Sequence, residues 1–204
     1  MSRASARVAL LAAVAALLGP LGTGCGPKPA PAAAVPAAGH PDLQCPPGTS
    51  PAGRGPPEGT EAWCQVRLPG GEARREGPSI TWHANGKRSA EGWYQAGKRH
   101  GTWQFWHASG TPAKQGSYTQ GLEDGPWTTY HPDGTRAAMG GYVGGEEHGP
   151  WIFWDPGTLT RTEGSYELGE RTGRWVDVGP DGRPVRERIY RRGRLVNQRE
   201  LGGG

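Results

Sequence analysis

Read for hydrophobic and polar positions, the chain falls into unlike stretches. Val8 to Leu18 is an unbroken apolar run behind Arg3 and Arg7, and residues 26–44 mix proline and alanine with neither a helical nor a strand period. From residue 77 onward, short aromatic and β-branched runs such as Trp151-Ile152-Phe153-Trp154 alternate with turn-forming clusters. Such runs predict short strands. His131-Pro132-Asp133-Gly134 and Gly179-Pro180-Asp181-Gly182 predict hairpin turns, because Pro fixes φ, Asp bonds its own backbone and Gly supplies φ > 0. A second strand then runs into Gly-x-Tyr, as in Gly164-Ser165-Tyr166. A looser turn such as Gly145-Glu146-Glu147-His148 is expected before the next unit.

The pattern recurs with a constant period of 24 residues. Its first position is Gly77, Gly101, Gly125, Gly149 and Gly173. Its third is Trp103, Trp127, Trp151 and Trp175, with Ser79 in the first copy. Its sixth is Trp82, Trp106, Tyr130, Trp154 and Val178, and its eighteenth is Tyr94, Tyr118, Tyr142, Tyr166 and Tyr190. An isolated hairpin is marginal in water, so neighbours must stack in series for any one to be stable. Trp and Tyr then fall at equal heights on adjacent hairpins, where each aromatic pair adds about 0.5–1.5 kcal/mol beyond area burial. Copy five departs from the pattern, with Val178 for the aromatic and Arg188 for the glycine before Tyr190. Its charged run Arg186–Arg192 has two readings: a terminal strand protected against edge pairing, or a basic contact site.

Hydrophobic residues are only 34% of the 204, with nine Trp against two Phe, 36 Gly and 20 Pro, which excludes a helical bundle. The formal charge of +4 includes Arg3 and Arg7; without them 21 basic and 19 acidic residues leave +2. That balance predicts no nucleic-acid partner, despite a sequence pI of about 9.1.

Residues 1–24 read as a secretory signal, since the apolar run is too short to span a bilayer. The run ends at Leu21-Gly22-Thr23-Gly24-Cys25, which resembles the lipobox of bacterial lipoproteins, with Gly22 where that family usually carries Leu. The resemblance implies acylation of Cys25 and a membrane anchor through lipid; the alternative is ordinary signal cleavage with Cys25 a bystander. Residues 25–44 then hold the lipidation site and a semi-rigid Pro/Ala tether. With Cys25 acylated, Cys45 and Cys64 remain as a pair, and their spacing is wrong for a zinc knuckle. A disulfide between them is expected, stapling an N-terminal cap over residues 45–76 and contributing roughly 3 kcal/mol.

The motif Gly-x-Trp-x-x-Trp…Gly…Gly-x-Tyr-x-x-Gly over roughly residues 70–195 resembles the MORN repeat (membrane occupation and recognition nexus) in its bacterial variant, also labelled the YwqK-type antitoxin family. The resemblance implies an all-β fold: an elongated, twisted antiparallel β-ribbon of tandem hairpin repeats with no globular core. Five repeats would occupy residues 77–195, followed by a C-terminal tail over 196–204. The combination of signal, cysteine pair and repeats is similar to lipoproteins of Gram-negative bacteria, implying an exported protein on the outer membrane or facing the periplasm.

Little in the sequence points to catalysis. His83, His107 and His131 share one repeat position, but equivalent positions lie two strands apart, roughly 9–10 Å. Donors around one zinc are only about 4 Å apart, so turn initiation is the expected role. The acids Glu123, Asp124, Glu146 and Glu147 fall in turns, and no phosphate-loop, dinucleotide or nucleophile-elbow motif occurs. We expect no enzyme activity, no cofactor and no metal. The one candidate surface is aromatic: Trp82, Trp103, Trp106, Trp127, Tyr130, Trp151, Trp154 and Trp175 either pack solely on each other or also present a binding face. The expected function is a non-catalytic protein- or glycan-interaction module at the cell envelope. The alternatives are a spacer or self-associating scaffold and, on the family label alone, an antitoxin-like component.

Overall fold

The computed structural model describes residues 40–202. The signal segment, Cys25 and all of the tether before His40 lie outside the described residues. The rest is all-β, with thirteen strands in chain order: β1 (Ser50–Arg54), β2 (Glu61–Arg67), β3 (Ala73–Trp82), β4 (Arg88–Gln95), β5 (Lys98–Trp106), β6 (Pro112–Thr119), β7 (Leu122–Tyr130), β8 (Arg136–Val143), β9 (Glu146–Trp154), β10 (Arg161–Glu167), β11 (Glu170–Val178), β12 (Pro184–Arg191) and β13 (Arg194–Glu200). Each strand pairs only with its neighbours in sequence, giving one open antiparallel sheet ordered β1 to β13. At about 4.8 Å per strand the sheet extends some ~60 Å along its ladder direction.

Two kinds of turn alternate along the sheet. At one edge, Gly86, Gly110, Gly134 and Gly182 donate their amides to the carbonyls of His83, His107, His131 and Gly179, closing the Pro/Asn/Asp-Gly turns. At the other edge the connection is a two-residue turn with both residues left-handed: Ala96-Gly97, Gln120-Gly121, Gly144-Gly145, Leu168-Gly169 and Arg192-Gly193. This is the type I′ geometry whose twist matches that of the flanking strands. The expected loose turn over Gly145–His148 is therefore tight, and Glu146 to His148 already belong to β9. The structural unit accordingly runs from one I′ turn to the next, starting three residues before the repeat's first glycine.

The C-terminus is more ordered than the expected tail. β13 continues the sheet to Glu200, so Arg186–Arg192 is not the terminal run. Its charges are largely paired: Arg188 and Arg186 with Asp177, Arg186 also with Glu200, and Glu187 with both Arg174 and Arg199. Those guanidiniums, Arg174 first, hold the Glu187 carboxyl below the usual carboxylate range.

Candidate interaction surface

The face carrying the third and eighteenth repeat positions is closed by its own side chains. Trp103, Trp127, Trp151 and Trp175 are at most 5% exposed, although no second layer covers them among the described residues. Each indole lies on a glycine of the preceding strand: a Cβ built at Gly92, Gly116, Gly140 or Gly164 would fall 2.1–2.3 Å from the ring. The strand pairing skips each of these glycines, leaving a bulge that brings the backbone under the indole. Each indole Nε1–H then donates to the carbonyl of the residue after the glycine: Trp93, Ser117, Gly141 and Ser165, at 3.1–3.2 Å.

Tyrosines fill the gaps edge-on. Trp103 stands between Tyr94 and Tyr118 at 5.2 and 6.1 Å, and the same alternation continues through Trp127, Tyr142, Trp151, Tyr166 and Trp175 to Tyr190. Phe105 and Phe153 stack beside the indoles of their own strands at 5.9 and 5.4 Å. Cations close the top: Arg99 lies 4.6 Å above Trp103 and Arg171 4.4 Å above Trp175. Where that repeat position becomes Glu123, Lys114 reaches across to pair with it at 2.5 Å and lies 4.4 Å above Trp127. Burial, with Glu123 and Glu147 nearby, pushes the Tyr142 phenol up to about 12.

At the N-terminal end the ladder is replaced by a cap. Trp63 lies over Gly53 of β1, with Arg75 4.5 Å above its ring. Cys45 and Cys64 are joined, their Cα atoms 5.5 Å apart. The segment from His40 to Cys45 is thereby held against the sheet, where Leu43, Ala62, Cys64, Ile80 and Trp82 form a small buried cluster. The His40 ring lies tilted against Trp82, centroids 4.7 Å apart, and Asp42 pairs with Arg88 at 2.7 Å.

The histidines are placed in the turns, as the spacing predicts, and their rings have a further part. The Nε2–H groups of His83, His107 and His131 donate to the carbonyls of Trp106, Tyr130 and Trp154 in the next repeat, at 2.8, 3.0 and 3.0 Å. Each ring thus ties one hairpin to the next, a role that repeat spacing alone does not reveal. On the opposite edge the amides of Gly97, Gly121, Gly145, Gly169 and Gly193 donate to the backbone carbonyls of Arg75, Arg99, Glu123, Glu147 and Arg171 of the preceding hairpin.

The eight aromatic candidates therefore divide. Trp103, Trp127, Trp151 and Trp175 are spent on the ladder and Trp82 on the cap, so these five present no ring to a partner. Trp106, Tyr130 and Trp154 stay half-buried along the turn edge. To them the structure adds Trp93, 43% exposed, whose place opposite His100 and next to Tyr94 sets it on the reverse face. That face also exposes Pro126, Met139 and Pro150, which with Ile152 line a shallow apolar groove of about 380 Å³. Near Trp154 a second concavity of about 620 Å³ is lined by Thr135, Arg136, Asp155 and Leu159.

The MORN repeat variant matches residues 99–120. That span covers the β5–β6 hairpin almost from one I′ turn to the next, so the structural and family units coincide. No curated protein matches the sequence. Residues 99–120 are thus similar to a MORN repeat variant, and with a sheet that rebuilds this hairpin along its length they support a MORN-repeat protein.

Proposed function

We propose that this chain is an exported, lipid-anchored, non-catalytic interaction module of the cell envelope, held to the membrane through Cys25. The observation that carries the reading is the asymmetry of the sheet. One face is consumed by the aromatic ladder, while Trp93, Trp106, Tyr130 and Trp154 keep ring surface available on the reverse face and turn edge. Aromatic side chains on a rigid scaffold suit protein or glycan contacts, because little conformational entropy is lost on binding. A MORN repeat variant is consistent with an interaction or scaffold module. The non-catalytic part draws support from the acids: Glu123, Glu163, Asp177 and Glu187 are engaged with cations rather than set against each other in a cleft.

The test has two arms. Metabolic labelling with a clickable fatty acid is expected to mark the mature protein, and Cys25→Ala to abolish the label. Pull-down from envelope extracts and a glycan array, each with folded protein, are expected to yield a specific partner; empty results in both would remove the binding reading. A scaffold reading is favoured by β13, whose outer side pairs with no strand among the described residues. It requires concentration-dependent oligomers in sedimentation, and a strictly monomeric profile would refute it.

A further inference from the structure

In a repeat array, what the fold requires recurs from copy to copy, and on the reverse face three departures from the recurrent residues adjoin one another. Trp93 occupies a position where the later copies carry Ser117, Gly141, Ser165 and Ile189. Thr102 stands where copies one, three and four carry Pro78, Pro126 and Pro150. Gln104 stands where the other copies carry Ile80, Thr128, Ile152 and Val176. Trp93 is 43% exposed, so its indole is spent neither on the ladder nor on the cap.

All three residues line one concavity of about 420 Å³, within the size range of small-molecule sites. Pro78 and the buried Ile80 form its apolar part, with Asp42, Arg88 and Glu91 beside them. Arg88 pairs with both carboxylates, at 2.7 Å to Asp42, so these charges are engaged with one another. Thr102 and Gln104 are exposed, and neither side chain makes a hydrogen bond among the described residues. Each of the two can both donate and accept, and neither is charged. The site therefore combines an open indole, an apolar floor and a neutral hydrogen-bonding wall.

We propose that this concavity binds a neutral saccharide, with the C–H face of one pyranose ring on the Trp93 indole and its hydroxyls bonded to Gln104 and Thr102. A pyranose with equatorial hydroxyls is apolar on its faces and both donates and accepts around its rim, the same division that the site presents. The mutual pairing of Asp42, Arg88 and Glu91 leaves no free cation to favour an acidic sugar. A peptide is served less well. The backbone hydrogen bonds of β3, β4 and β5 run within the sheet, so the ladder that a bound strand extends at a sheet edge is not offered here. This assignment rests on the reading of the chain as an interaction module, and selects a glycan over a protein at this place.

The probes are cellobiose and N,N′-diacetylchitobiose, titrated against the full-length protein by saturation-transfer NMR. Saturable binding of at least one is expected, with transfer strongest to ring C–H protons. Trp93→Ala is expected to weaken it by about tenfold or more, and Trp93→Tyr to retain part of it. Gln104→Ala weakens it as well, while Thr128→Ala, at the equivalent position of copy three, leaves it unchanged. The Trp103 indole donates to the backbone carbonyl of residue 93, which alanine keeps, so Trp93→Ala is expected to hold the wild-type circular dichroism that serves as the folding control. No saturable binding of either sugar, or equal affinity in Trp93→Ala, overturns the site. Tighter binding of digalacturonic acid than of both neutral sugars overturns the neutral chemistry. Trp93-dependent binding of decaproline without binding of either sugar would assign the concavity to a peptide and overturn the saccharide. An envelope partner captured equally well by Trp93→Ala would leave the interaction module standing and remove only this site.

Discussion

Gly92, Gly116, Gly140 and Gly164 are needed for the space they leave, since none of them has a left-handed φ. A methyl at Gly140 would meet Trp151 at 2.1 Å, and that ring is fixed by Tyr142, Phe153 and its own bond to Gly141. Gly140→Ala is therefore expected to lower stability in urea melts by about 1–3 kcal/mol or more. Gly70→Ala, with open space around it and an ordinary φ, is expected to change stability by less than about 0.5 kcal/mol. Tyr142 supplies a second test. Its folded phenol titrates at about 12 against an ordinary 10.0, because burial first, and then Glu123 and Glu147, disfavour the phenolate. The folded state thus holds a proton that the unfolded state loses, so stability is full below pH 10 and falls as pH rises toward 12. Absorbance titration of the Tyr142 phenolate should show a late transition in the wild type that moves earlier in Glu123→Gln.

At the scale of the element, the sheet depends on turns of unequal quality. Type I′ turns favour Asn-Gly, yet Ala96, Gln120, Leu168 and Arg192 occupy the first left-handed position. Leu168 also exposes most of its side chain. Leu168→Asn should therefore stabilise the protein by up to ~1 kcal/mol, read as a raised urea midpoint with an unchanged slope. These residues are also why the turn was illegible in sequence: none signals a positive φ, and the charged Glu146-Glu147-His148 reads as loop while forming the start of β9. The strands and the Pro-Asp-Gly turns were legible, because alternation and turn chemistry are local. Which aromatics face inward was not, since strand parity breaks at each bulge and the glycine that receives an indole lies on another strand. The histidine bonds escaped for the same reason, joining residues a full repeat apart. His107→Ala is expected to cost about 1 kcal/mol and to speed amide exchange at the turn edge of β5 to β8.

At the scale of the molecule, contacts are made almost wholly between adjacent strands, as in other repeat arrays, so stability is a sum of hairpins and their interfaces. Among the described residues, the bridged N-terminal segment stands outside that scheme, its two cysteines 19 residues apart in sequence. Reduction of Cys45–Cys64 should remove roughly 3 kcal/mol from the cap. Hydrogen exchange should then rise in β1 to β3 while β7 to β10 keep their protection. A uniform collapse of protection would show that the array is not modular.

The seating of each indole on the glycine before it has a direction, and that direction bears on how such a chain changes length. Every interior unit both offers a glycine to its successor and sends an indole to its predecessor, so a whole unit duplicated between β5 and β10 would find compatible neighbours on either side. The ends do not share this property: Ser79 sends no indole back toward β2, and Arg188 offers no glycine forward to β13. The array is thus open to growth in its middle, while Ser79 and Arg188 mark where the seating of indole on glycine begins and ends.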